Sequence, residues 1–204
     1  MTNYLHHGDL PDGLDLGSVI AVDSETMGLN PVRDRLCVVQ LSDGNGDAHL
    51  VKFDGENFDA PNLCALLEDP EKVKIFHFAR FDVAAFMMYL EIETAPVYCT
   101  KIASKLVRTY TDRHGLKDLT RELLGIEISK KEQSSDWGAA KLSQAQIDYA
   151  ASDVLHLHKI KERLDEMLAR EERTELAQSC FDFLTTRSLL DLSGWPETDI
   201  FAHS

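Results

Sequence analysis

Five side chains spread over 130 positions are of the types that hold metal ions and direct water. They are Asp23 and Glu25 in Val22-Asp23-Ser24-Glu25-Thr26, Asp82 closing His77-Phe78-Ala79-Arg80-Phe81-Asp82, and Tyr149 and Asp153 in Tyr149-Ala150-Ala151-Ser152-Asp153. Each carboxylate falls where an isolated one is a poor structural choice, at the end of an apolar strand or on a helix face expected to pack inward. Burying like charges together is costly unless something positive compensates them. Two divalent cations would do so, and hard oxygen donors suit Mg2+ or Mn2+ better than zinc. The pattern is that of a metal-dependent phosphodiesterase site.

The elements must bring these residues together. In a strand, residues two apart share a face, so Asp23 and Glu25 point one way and Ile20, Val22 and Ser24 the other. Tyr149 and Asp153, four apart, stack on one helix face that also carries Gln146 and His156. Asp153 lies too far from Ser143 to cap that helix. Singly, each motif has a plainer reading: Asp-x-Glu also occurs in exposed turns, and a tyrosine above an aspartate also fits an aromatic packed on a sheet.

Ser18 to Asp23, Arg35 to Ser42 and Ala48 to Phe53 read as three strands, the last two joined by the turn Asp43-Gly44-Asn45-Gly46-Asp47. A short helix is expected over Pro61 to Glu68, a strand over Lys72 to His77, and a helix over Arg80 to Leu90. From Pro96 onward the spacing is helical, over Thr100 to Thr109 and Gly115 to Leu124, with Gly125 as a stop. Ser129 to Ala140 reads as a loop. Ser143-Gln144-Ala145-Gln146 is a capping-box signal opening a long helix to Leu168, and another helix is expected over Arg173 to Leu190. Strands first, helices later and βα units between them predict a single α/β or α+β domain, spanning 1–204.

At 204 residues and 22.9 kDa the chain has room for one ample core. No apolar run approaches the roughly 20 residues that span a bilayer. The polar start, with Asp9, Asp12 and Asp15, does not read as a secretory signal. Cys37, Cys64, Cys99 and Cys180 form no Cys-x-x-Cys pair and are expected as buried, reduced thiols of a cytoplasmic protein. A net charge of −14 argues against tracking long nucleic acid. Between Lys101 and Lys131, however, eight basic residues face four acidic ones, so this stretch carries +4 and the remainder −18. A basic patch on an acidic body suits a short anionic substrate, although each such side chain also fits a solvated helix face.

Taken together, Asp-x-Glu on a first strand, an Asp inside a helix after a later strand, and Tyr-x-x-x-Asp on a late helix resemble the three motifs of the DEDDy branch of the DnaQ-like 3′–5′ exonucleases. Ser134-Ser135-Asp136-Trp137 and Gly115-Leu116-Lys117-Asp118-Leu119 resemble ribonuclease D in particular. The resemblance covers residues 18–168 and implies a ribonuclease H-like α/β fold with a mixed central sheet flanked by helices. Ribonuclease D carries further C-terminal helical domains, whereas only a helix and tail, 169–204, follow here. The length and acidic balance are instead similar to the NrnC-type ribonucleases, which degrade dinucleotides and other very short RNA and assemble as homo-octamers.

The resemblance implies that Asp23, Glu25 and Asp153 hold one cation, that Asp23 bridges to a second supported by Asp82, and that Tyr149 orients the attacking water. The substrate-binding candidates are Met27, Leu29, His77, Arg80, Lys130, Gln133, Ser134 and Trp137. Leu29 is placed to wedge between bases, Trp137 to stack one, and the polar loop to cap a 5′-phosphate, though Leu29 and Trp137 each have a packing alternative. A DNA exonuclease, a general RNA trimmer and an inactive RNA-binding scaffold are the competing readings. The apolar residues of the final stretch, Leu190 to Phe201, are expected at a subunit interface.

Overall fold

The computed structural model describes residues 2–129, 131–132 and 134–203. Its strands are β1 (Asn3–His7), β2 (Val19–Thr26), β3 (Leu36–Ser42), β4 (Ala48–Lys52), β5 (Val73–Phe76) and β6 (Val97–Cys99). They form one mixed sheet in the order β1-β4-β3-β2-β5-β6. The expected hairpin is present, with β2, β3 and β4 pairing antiparallel and Asp23 opposite Gln40. Strand β3 is buried at every position, which explains why apolar residues occupy both of its faces in the middle of a covered sheet. Strands β5 and β6 add in parallel beyond β2.

The helices are α1 (Pro61–Glu68), α2 (Ala79–Tyr89), α3 (Thr100–Val107), α4 (Leu116–Leu124), α5 (Gln144–Leu155), α6 (Leu157–Arg170), α7 (Thr174–Asp182) and α8 (Leu184–Leu192). Gly125, with φ 70°, ends α4 in the left-handed conformation that favours glycine. Helix α5 packs on β1 to β4, α6 lies against α3 and α4, and α2 lies between the sheet and α8. A buried apolar cluster from Leu10 to Leu184 joins these layers.

Four expectations on elements are corrected. The polar start contains a strand, β1, which pairs in parallel with β4 at the sheet edge. A short strand, β6, precedes the helical half of the chain. The long helix after Ser143 breaks at His156, whose φ of −109° and ψ of −7° let the chain pass from the sheet face covered by α5 to the helix layer of α6. The C-terminal helix likewise breaks at Phe183 into α7 and α8. All four cysteines are free, with Cys37 and Cys99 buried and Cys64 and Cys180 half-buried. None of the described helices is long and apolar enough to cross a membrane.

The capping box at the start of α5 is complete. Ser143 Oγ accepts from the Gln146 amide N–H at 3.2 Å, and the Gln146 side-chain oxygen accepts from the Ser143 N–H at 3.0 Å. Gln146 also donates to the Asp136 carbonyl at 3.1 Å, tying the preceding loop to the helix. Replacing Ser143 by Ala should cost about 1 kcal/mol. In a chain of this size that lowers the melting temperature by roughly 2–4 °C, measurable by thermal denaturation.

Candidate active site

Strand β2 ends in the site. Its alternation sends Asp23 and Glu25 to one side, where α5 delivers Asp153, and one ligand oxygen from each of the three lies within 4.8 Å of the others. A register irregularity between Glu25 and Thr26 bends the strand end there. Ser24 points the other way and donates from Oγ to Asp82 Oδ1 at 2.6 Å. Asp82 sits in the first turn of α2 and is only 3% exposed. Gln40, opposite Asp23 on β3, donates from Nε2 to Asp23 Oδ2 at 3.4 Å. These neutral donors leave the negative charge of the group in place.

The electrostatic cost is evident in the carboxyl groups. Burial, reinforced by the charges of Asp153 and Asp82, pushes Glu25 up to about 9. Burial pushes Asp82 up to about 7, partly opposed by the bond from Ser24. Asp23 is raised well above the usual carboxylate range by burial and then by its three acidic neighbours. Tyr149 is raised by burial, by the charges of Asp153, Glu25 and Asp23 and by a hydrogen bond with Asp153, so its phenol stays protonated at neutral pH. A crowded set of oxygen donors with no His or Cys in it fits a hard divalent cation.

A cavity of about 770 Å³ opens over this group and is lined by the four carboxylates, Tyr149, Met27, Leu29, His77, Ser134 and Trp137. Leu29 stands 90% exposed on the loop after β2. That loop is pinned by Asp34, which accepts from the Asn30 N–H at 3.0 Å and is gripped by Arg33. Gly28 backs directly onto it, since a Cβ there would fall 2.3 Å from Asp34 Oδ2. His77 Nδ1 lies 2.9 Å from Thr100 Oγ1.

Two of the expected substrate residues are placed differently. Arg80 is outside the cavity: it grips the Asp191 carboxylate with two nitrogens and donates to the Pro196 carbonyl, so its guanidinium is committed to the C-terminal segment. Trp137 reaches the cavity wall, but its ring is 2% exposed and packs on Tyr149 at a centroid distance of 6.0 Å. It buttresses the tyrosine and has no free face for a base. Lys130 and Gln133 lie outside the described residues.

Phe78, Lys101 and Lys117 also line the cavity and were not singled out from the sequence. Phe78 has φ 72°, a conformation that bulky residues rarely adopt, and its ring is 43% exposed with Lys101 Nζ 4.2 Å from the centroid. An aromatic between a strand end and a helix start was the available signal. Lys101 and Lys117 belong to the basic stretch, whereas Arg108 of that stretch is fully buried against Glu122 and the Arg113 carbonyl. Part of the patch is therefore structural.

A sequence model of the 3′–5′ exonuclease family matches residues 10–169. The chain belongs to this family. Its resemblance to the DEDDy branch and its ribonuclease H-like fold follow the same lines. Ribonuclease D of Gluconacetobacter diazotrophicus is 36% identical over 160 residues, covering 78% of this chain and 40% of that one. The exonuclease thus spans well under half the length of such relatives. Among solved structures, Brucella melitensis NrnC bound to pGG is 56% identical, with a TM-score of 0.97 and full coverage of both chains. Escherichia coli RNase D, at 24% identity and TM-score 0.72 over 84% of this chain, shares the fold.

Carboxyl groups with raised folded-state pKa values bind more protons folded than unfolded. Without a cation, stability should therefore fall as pH rises from about 4 toward 9. We expect the melting temperature in EDTA to decline over this range and Mn2+ to restore it. Asp23→Asn should raise the melting temperature of the metal-free exonuclease at pH 8 and abolish most of the gain from Mn2+. Thermal melts of both proteins with and without Mn2+ check this.

Proposed function

We propose that this exonuclease hydrolyses very short RNA, chiefly dinucleotides, from the 3′ end and releases nucleoside 5′-monophosphates. The observation that carries the reading is the convergence of Asp23, Glu25, Asp82, Asp153 and Tyr149 in one cavity. Support for short substrates comes from the full-length likeness to a nuclease whose structure holds pGG, and from a cavity within the size range of small-ligand sites. We treat residues 1–204 as one catalytic domain and place it in the cytoplasm.

Asp23, Glu25 and Asp153 would hold one divalent cation, and Asp82 with Asp23 a second, Mg2+ or Mn2+. Bound cations of this kind lower the pKa of water and stabilise the departing 3′-oxygen. Tyr149, kept protonated, orients the attacking water by hydrogen bonding and does not act as its base. Leu29 and Met27 separate the bases, the exposed ring of Phe78 offers a stacking face, and His77, Lys101 and Ser134 line the phosphate path. Trp137 acts through Tyr149 by fixing the ring. A DNA exonuclease is the second reading, favoured by the 31% identity over 155 residues with DNA polymerase I of Aquifex aeolicus.

Incubation with Mg2+ and 5′-labelled RNAs of graded length should show fastest turnover of the dinucleotide. Tyr149→Phe should slow it by about 100-fold with Mn2+ binding unchanged. Absence of turnover at every length would exclude the enzyme reading, equal rates at all lengths would remove the dinucleotide preference, and faster cleavage of a matched DNA dinucleotide would favour the second reading.

We further propose that the chain assembles as a homo-oligomer, an octamer by family resemblance. Phe181 and Leu184 are buried at home, but Leu189, Trp195, Ile200 and Phe201 are exposed apolar side chains near the C-terminus. Light scattering should give a multiple of the 22.9 kDa chain mass. Truncation after Gly194 should reduce it. A full-length monomer at micromolar concentration would refute assembly, and an unchanged large particle after truncation would place the interface elsewhere.

A further inference from the structure

Helix α2 carries Asp82 in a first turn that has no side-chain cap. That turn is held from two sides. At about 100° per residue, Arg80 and Asp82 project some 200° apart, so they point to nearly opposite faces. Asp82 faces β2 and Ser24, while Arg80 faces α8. There Arg80 Nη2 donates to Asp191 Oδ1 at 2.7 Å and Nε donates to Oδ2. Arg187 Nη2 donates to the same carboxylate at 2.7 Å, and the Asp191 side chain is only 9% exposed. Ser188, fully buried one turn earlier, donates from Oγ to the Arg80 carbonyl at 2.9 Å. Helix α8 therefore grips both the backbone and the side chain of residue 80.

Such a grip has a physical reason. Asp82 shares its cavity with Asp23, Glu25 and Asp153, and the first turn of α2 that carries it has no side-chain cap of its own to hold it there. One hydrogen bond from Ser24 pulls inward, and α8 supplies an opposing wall. A bidentate guanidinium–carboxylate contact fixes orientation as well as distance, and here it is largely out of water. We infer that the Arg80–Asp191–Arg187 cluster is a positioning device for the proposed reaction, setting the place of Asp82 through the first turn of α2. This rests on the exonuclease reading of the site. It also gives α8, which follows the family-matched region, a part in the chemistry.

Asp191→Asn keeps the shape of the side chain and removes its charge. Partners that hydrogen-bond a metal ligand directly typically change metal affinity or activity by roughly 10–100-fold, and Asp191 acts at one remove, through Arg80, toward the low end of that range. We therefore expect Mn2+ binding, measured by calorimetry on the metal-free full chain, to weaken by about tenfold or more, and kcat to fall similarly with KM nearly unchanged. Phe181→Leu is the control, because Phe181 packs on Tyr98 and its loss lowers stability without touching α2. At comparable loss of melting temperature it should leave Mn2+ affinity and kcat at wild-type values. If Asp191→Asn does not fold, Arg80→Lys, which keeps the charge but not the two-pronged contact, carries the same test. Wild-type Mn2+ affinity and kcat in the folded Asp191 or Arg80 variant would overturn the inference, as would equal losses in Phe181→Leu. A wild-type protein without turnover would defeat the proposed function, while the Mn2+ titration would still decide the positioning role.

Discussion

Mutual repulsion among four carboxylates is the constraint on which the rest of the structure turns. Asp23, Glu25, Asp82 and Asp153 come from a strand end and two helices, and no one element could crowd them so closely. Like charges at such separations interact by several kcal/mol when solvent is partly excluded. The fold holds them by placing the acids on elements that are anchored on more than one side. Strand β2 is paired on both sides, antiparallel with β3 and parallel with β5. Helix α5 is capped reciprocally and packed on four strands, and α2 is wedged between β2 and α8. The energy lost in crowding is what a bound cation can return, so folding and metal binding are linked by the same side chains.

The chemistry was more legible in the sequence than the scaffold was. Period-two spacing put Asp23 beside Glu25, period-3.6 spacing put Tyr149 over Asp153, and both relations hold because they are local. Strand β1 was hidden because it earns no apolar alternation: Tyr4 and His6 stack with His49 on β4, and the ring nitrogens of His6 and His49 lie 3.0 Å apart. Strand β6, three residues long, is too short for any period. The breaks at His156 and Phe183 involve neither Gly nor Pro, and apolar spacing runs through them undisturbed. Arg80 had the sequence position of a phosphate ligand, but its partner lies 111 residues away and only the fold could reveal it. Trp137 was legible as either a platform or a packing residue, and the nearness of Tyr149 settled it for packing.

The same contrast divides the basic residues. A stretch with a net charge of +4 reads as one patch, yet its members have separate fates once folded. Arg108 turns inward to organise α3 and α4, Arg121 pairs with Asp118 and Glu122, and Lys101 and Lys117 reach the cavity. Net charge along a sequence therefore overstated the cationic surface. Two lysines line the same cavity as the four acids, so its lining carries both signs of charge.

That mixed lining bears on substrate length under the proposed reading. The chain carries −14 overall, and screening confines each charge to about 8 Å at physiological salt. A phosphate inside the cavity feels Lys101 and Lys117 together with whatever cations the carboxylates hold. A phosphate that extends beyond it meets a surface with an excess of acids, and gains little to offset the ordering of a longer strand. Each added nucleotide would then contribute less binding than the first two. Under that reading length discrimination would need no steric barrier, because two lysines line a cavity of about 770 Å³ in a protein whose net charge is −14.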